Sequence, residues 1–119
     1  MRIYLNSRAL LKISGSDSES FLQSQFANDV SKLTDRNIQI NAYCQHQGKL
    51  ISLFWVMRYE DSFLLSFPLD LLEVIKSRLQ MFVIMSDVLI KDVSMSYNQI
   101  GLIDEKQSNS YFINDSLSL

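Results

Sequence analysis

A chain of 119 residues, 47% hydrophobic and 20% charged, has room for one domain with one core. Its formal net charge is -2 and it has no long basic run, so it offers no electrostatic footprint for nucleic acid and no attraction to an anionic membrane. No apolar run approaches the roughly 20 residues that cross a bilayer.

Met1 to Leu11 carries Arg2, Asn6, Ser7 and Arg8, which is not the continuous apolar stretch of a secretory leader. The reading is a cytoplasmic protein. The single cysteine, Cys44, excludes an internal disulfide and a zinc-ligand set, and no metal site is expected.

Ile3 to Leu5 and Ala9 to Ile13 read as short strands, the second broken by Ser14 and Gly15. Ser16 stands three residues before Glu19, the spacing of a capping box. A helix is expected from Asp17 to Phe26, with Phe21, Leu22 and Phe26 on its inner face and Val30 and Leu33 continuing that surface. Ile38, Ile40 and Ala42 alternate with Gln39, Asn41 and Tyr43, as in a half-buried strand. Gln47, Gly48 and Lys49 form a turn. Leu50 to Tyr59 is apolar almost throughout, which predicts a central strand buried on both faces. Glu60 to Ser62 turns the chain into a strand from Phe63 to Phe67, completing a meander.

Pro68 suits the first turn of a helix, predicted over Leu69 to Met85, with Leu69, Leu72, Ile75, Leu79 and Phe82 on one face. Val88 to Val93 and Ile100 to Ile103 read as strands. The sum is an α+β domain over residues 1–103, an antiparallel sheet with two main helices. Residues 104–119 read as a polar tail, weakly ordered unless covered, in which Phe112, Ile113, Leu117 and Leu119 have no firm period.

By residue chemistry alone, Asn28 and Asp29 suit the donor and acceptor edge of a pterin, or else cap the chain after the first helix. Gln23 and Gln25 read as solvated helix positions and Lys49 as a solubility residue. Cys44 and His46 share a strand face if the strand reaches them, but a buried, inert cysteine is favoured. Trp55 and Tyr59 read as core residues.

Four stretches carry a family resemblance: Ile13 to Glu19, Phe21 to Leu33, Ala42 to Leu50, and Leu79 to Val88. Together they resemble the amino-terminal, folate-binding part of YgfZ-type proteins, in the superfamily of the glycine-cleavage aminomethyltransferase. The resemblance implies one half-unit of the T-protein-like folate-binding domain. It implies tetrahydrofolate or a derivative as cofactor, held by Gln25, Asn28, Asp29, Val30, Tyr43, Gly48 and Lys49. It further implies a role in iron–sulfur protein maturation and the tRNA modification that depends on it, with maturation proteins as partners.

The chain ends before the family's downstream cysteine motif, and Ser52 or Leu53 stands where the transferase has an acidic residue, so no catalytic residue is assigned. Two alternatives stand beside this reading. One is an assembly module that has lost folate binding, the other an aminomethyltransferase-like one-carbon transferase. A homodimer is expected, with Ile3 to Leu5 and Ile100 to Ile103 crossing between copies and the tail's apolar residues covered.

Overall fold

The computed structural model describes residues 2–4, 7–35, 37–44, 48–104 and 107–115. In chain order the elements are β1 (Arg2–Tyr4), β2 (Arg8–Ser14), α1 (Ser18–Gln25), a 3-10 turn (Val30–Lys32), β3 (Ile38–Cys44), β4 (Leu50–Tyr59), β5 (Ser62–Pro68), a second 3-10 turn (Leu69–Leu71), α2 (Leu72–Met81), β6 (Leu89–Asp92), β7 (Tyr97–Asp104) and β8 (Gln107–Asp115). The main sheet is antiparallel, with strand order β3-β4-β5-β2-β6, and a smaller sheet has the order β1-β7-β8.

The expected α+β fold with an antiparallel sheet and two helices is what forms. The central strand, however, is β5 and not β4. Each of the first six residues of β5 is buried, whereas β4 keeps Leu50 and Leu53 exposed. The reason is topological. β5 lies between β4 and β2 in the middle of the five strands, whereas β4 lies one place nearer the β3 edge.

Both helices pack on one face of the sheet. Ala9, Leu11, Ile13, Phe54, Val56, Phe63, Leu65 and Phe67 project there, against Phe21, Leu22 and Phe26 from α1 and its exit and Ile75 and Leu79 from α2. Val30 and Leu33 extend this core as expected. The other face holds a smaller cluster of Leu10, Met57, Leu64 and Val93. Tyr97 packs on that cluster, and Gln99 ties the small sheet to it through the Ser66 hydroxyl at 2.6 Å and the Arg8 carbonyl at 3.1 Å. Arg8 also donates to Ser66 and lies 4.0 Å over the Trp55 ring, so Trp55 belongs to this polar seam and not to the helix-side core.

Several local expectations change. Ser16 does not cap α1: its N–H and hydroxyl both bond the Asp87 carboxylate, at 2.9 and 2.8 Å. Glu19 pairs with Arg58 instead of turning back to Ser16. The second helix is shorter than predicted. Pro68 closes β5, the Leu69 N–H is held by the Ser7 carbonyl at 2.8 Å, and the regular helix starts at Leu72. It stops at Met81, after which Met85 takes a positive φ of 58° that no helix continues through. Within the stretch read as a tail, Gln107–Asp115 forms a strand on β7, because backbone pairing needs no apolar period. Strands β1 and β7, expected to cross between copies, pair with each other through Ile3 and Gly101. Leu5, Gln45, His46, Gln47, Leu117 and Leu119 lie outside the described residues.

The entry to α1 is fastened to the segment before β6. The Asp17 N–H donates to the Asp87 carbonyl at 3.1 Å, and the Asp87 N–H returns a bond to the Asp17 carboxylate at 2.8 Å. Gly15 makes the approach feasible. It has φ 110°, and a Cβ there would sit 2.1 Å from the Asp87 carbonyl oxygen. The N–H and then the hydroxyl of Ser16 hold the Asp87 carboxyl below its ordinary 3.8. A carboxylate whose folded pKa is depressed adds stability above its unfolded pKa and loses it as pH falls through the folded value. The clasp should therefore weaken below about pH 3.8. Asp87→Asn should reduce the acid dependence of the denaturation midpoint between pH 5 and 2, on the order of those bounds. Identical pH profiles for the two proteins would show that the clasp contributes nothing.

Candidate functional site

The expected alternation of β3 is present, and the row that faces in is the polar one. Gln39, Asn41 and Tyr43 face the helix side, with Asn41 1% and Tyr43 2% exposed. Ile40, on the outer row, is 60% exposed. A polar row turns inward because the chain leaving α1 runs alongside it and needs partners. Phe26 bridges Tyr43, and the Ala27 N–H bonds the Ala42 carbonyl at 3.2 Å. The Asn41 side chain then acts as a piece of strand. It accepts from the Asn28 N–H at 2.8 Å and donates to the Asn28 carbonyl at 3.1 Å. It also donates to Gln39 at 3.0 Å, and Gln39 donates to the Asp29 carbonyl at 2.8 Å. The Gln23 side chain accepts from the Val30 N–H at 2.9 Å.

This network fixes the Asn28-Asp29 pair. The Asn28 amide donates to the Ile40 carbonyl at 2.7 Å, while the residue stays exposed. Asp29 caps the 3-10 turn: one carboxylate oxygen accepts from the Ser31 hydroxyl at 2.5 Å and the Ser31 N–H at 3.0 Å. These bonds, the hydroxyl first, hold its pKa below the ordinary 3.8. The capping role anticipated for this pair is therefore real. It also leaves Asp29 ionised at neutral pH and partly exposed.

The other sequence-derived residues spread along β3. Tyr43 lies two positions beyond Asn41. Gly48, with φ 79°, and exposed Lys49 lie at the hairpin end, roughly 10–15 Å from Asn28 at about 3.3 Å per residue. Val30 is fully buried in the core, so its side chain serves packing. Gln25 is half-exposed at the end of α1 and donates to Ser24 at 3.3 Å. Cys44 is exposed at the end of β3, not buried as favoured, because it lies past the bulge where the β3–β4 register shifts. Ser52 is buried opposite Tyr43, and its hydroxyl donates to the Leu53 carbonyl at 3.1 Å.

Sequence reading missed Gln39, Asn41 and Gln23 as the frame of the site. For Gln39 and Asn41 the only signal was a polar residue at every second position of β3, and alternation alone does not say which row faces in; Gln23, on α1, was read as a solvated helix position. A separate open cleft of about 550 Å³ lies at the start of α1, lined by Ser14, Gly15, Ser16, Ser18, Glu19, Arg58, Glu60, Asp61, Ser62 and Phe63. It contains none of the sequence-derived binding residues, and its three carboxylates oppose an anionic ligand there. Among the described residues no group of three or more His, Cys, Asp or Glu is placed to hold a metal ion. No helix among them is long and apolar enough to cross a membrane.

The architecture is that of the T-protein-like α+β unit. An aminomethyltransferase T of the glycine cleavage system from Bartonella henselae superposes with a TM-score of 0.74 at 11% identity, over 84% of this chain and 27% of that one. By sequence the chain is similar to the tRNA-modifying protein YgfZ of Klebsiella pneumoniae, 37% identical over 72% of this chain and 26% of that protein. The Colwellia psychrerythraea YgfZ is 28% identical over 90% of this chain and 33% of its own length. An aminomethyltransferase from Exiguobacterium sibiricum is 33% identical over 77% of this chain and 26% of its own length. No protein-family model matches. The chain is thus a partial YgfZ-like, aminomethyltransferase-like unit, spanning about a quarter to a third of the relatives it matches.

Asn41→Leu should remove both partners of the Asn28 backbone and bury them unsatisfied, at a cost of about 1–3 kcal/mol. Urea denaturation should show a lower midpoint, with faster amide exchange at Asn28. An unchanged midpoint would mean that segment 27–30 is held without Asn41.

Proposed function

We propose that this unit binds a tetrahydrofolate derivative without turning it over, and serves iron–sulfur protein maturation and the tRNA modification that depends on it. The observation that carries the reading is the rigid Asn28-Asp29 pair. A carboxylate held ionised beside an exposed amide matches the donors and acceptors of a pterin edge. The residues fit such a ligand unequally. Asn28, Asp29 and the Gly48-Lys49 turn lie along the rim of β3, which suits an extended molecule, and Tyr43 faces inward between them. Val30 contributes only core packing, and Gln25 lies at the margin. The bound folate would supply one-carbon chemistry. The chain's own residues hold and orient it.

Ser52 argues against aminomethyl transfer. Its neutral hydroxyl, committed to the Leu53 carbonyl, cannot hold the negative charge that the transferase's acidic residue supplies. The names of the YgfZ relatives support the tRNA-modification role, and the share of their length matched here leaves their further segments outside this unit. Calorimetric titration with 5-formyltetrahydrofolate should show saturable binding, weakened about tenfold or more by Asp29→Asn. Absence of binding at millimolar ligand, in folded protein, would favour an assembly module instead.

We further propose a two-fold dimer through the outer face of β3 and β4. Ile40, Leu53 and Leu50 are 60%, 54% and 53% exposed there. Ile40 and Leu53 are diagonal neighbours across the strand pair. The two edges of the main sheet do not offer the alternative of strand pairing. Segment 26–28 covers β3, while β6 has four residues and ends in Lys91 and Asp92. The exposed part of that face, Ile40, Leu50 and Leu53, is apolar, with Arg8 beside it over the Trp55 ring. Sedimentation equilibrium at micromolar concentration should give twice the chain mass, reduced to one chain by Leu53→Glu. A dimer indifferent to that substitution would place the contact elsewhere.

A further inference from the structure

Among the described residues, the Tyr43 hydroxyl is the buried side-chain polar atom without a hydrogen-bond partner. Its ring packs between Phe26 and Phe54, each with its centroid 5.8 Å away. A phenylalanine would fill the same space without an unsatisfied group, so packing does not account for the oxygen. Arg78, half-buried on α2, lies beside it. Burial raises the phenol's pKa and the neighbouring guanidinium offsets part of that rise, so the hydroxyl keeps its proton at neutral pH.

Arg78 is not neutralised by its own helix. The residues one turn away on either side are Val74, Ile75, Met81 and Phe82. The ion pair of the helix side joins Arg58 to Glu19 and does not involve it. Ser52, directly across the strand pair from Tyr43, brings no charge, and its proton is already committed. Exposed Lys49 lies toward the same end of β3 and adds positive charge. The phenol oxygen can accept from the guanidinium, whereas the hydroxyl proton has no described acceptor.

We propose that Tyr43 and Arg78 receive an anionic oxygen of the ligand, with the hydroxyl donating to it and the guanidinium balancing its charge. The ligand class is a carboxylate. This rests on the folate reading for the molecule, since a folate carries carboxylates at the end remote from its pterin, but the receptor itself is testable without a folate.

The full chain is titrated with 5-formyltetrahydrofolate, with tetrahydrobiopterin, which has no carboxylate, with glutarate, and with inorganic phosphate. Without ligand, Tyr43→Phe should melt at or above the wild-type temperature, because it removes an unpaired buried hydroxyl. It should nevertheless bind 5-formyltetrahydrofolate about tenfold or more weakly, the loss of one hydrogen bond to a charged group. Tetrahydrobiopterin should be unaffected. Arg78→Gln should repeat the loss and Arg78→Lys should recover part of it, which a purely structural role would not do. If Tyr43→Phe fails to fold, the Arg78 pair carries the test alone. Folate binding indifferent to both positions overturns the receptor and leaves the folate reading standing. Glutarate binding that depends on both positions, with no folate binding, keeps the receptor and removes the folate. Phosphate binding more tightly than glutarate overturns the carboxylate assignment. Silence of all four probes overturns both.

Discussion

The side chain of Asn41 is the constraint on which the candidate site depends. A strand can bury an amide only if each of its polar atoms is satisfied. Asn41 meets that condition by bonding the backbone of Asn28 in both directions, and its remaining bonds go to Gln39 and the Ala42 N–H. The exit of α1 is thereby laid along β3 as though it were another strand. Two consequences follow together. The edge of the sheet is covered, and Asn28 and Asp29 are held at its rim with their side chains toward solvent.

The core explains why a polar row is tolerated on the inner side. Phe54, Phe67, Leu65 and Val56 are fully buried beneath the helices, in the middle strands. Phe26 closes the cluster at its margin, 5.0 Å from Phe54 between ring centroids. The edge strand β3 can give its inner positions to hydrogen bonding because β4 and β5 supply the apolar area. Arg58 works in the same manner at the far side of α1. It donates to the Leu33 carbonyl at 2.7 Å, lies 4.6 Å over the Phe63 ring, and pairs with Glu19. Between them, Asn41 and Arg58 anchor both flanks of the segment that follows α1.

The two faces of the sheet are finished differently. The helix side is a continuous apolar core. The opposite side is joined to the small sheet by a polar seam of Arg8, Ser66 and Gln99, and remains open over the hairpin end of β3 and β4. A hairpin whose outer row is apolar gains little from water, and a two-stranded ribbon is only marginally stable alone. The proposed dimer would use this open face, and the proposed ligand the rim beside the polar inner row.

The sequence by itself determined the period of each element. Alternation marked β3, a change to helical spacing marked both helices, and the pairs Glu60-Asp61 and Gly48-Lys49 marked the turns. Four stretches also carried the resemblance to YgfZ-type proteins, which the fold and the comparisons support. What the sequence could not determine was orientation. A period of two is the same whether Ile40 or Asn41 points inward, and only the passage of residues 26–30 beside β3 decides between them. For the same reason β4 and β5 could not be ranked as central, since both are apolar and sheet order is a property of long-range pairing. The capping box at Ser16 likewise satisfied a local rule, but Asp87, far away in the chain, offered its hydroxyl and N–H a stronger partner. Local periodicity is written in neighbouring residues, while the choice of face and partner is made by groups that only folding brings together.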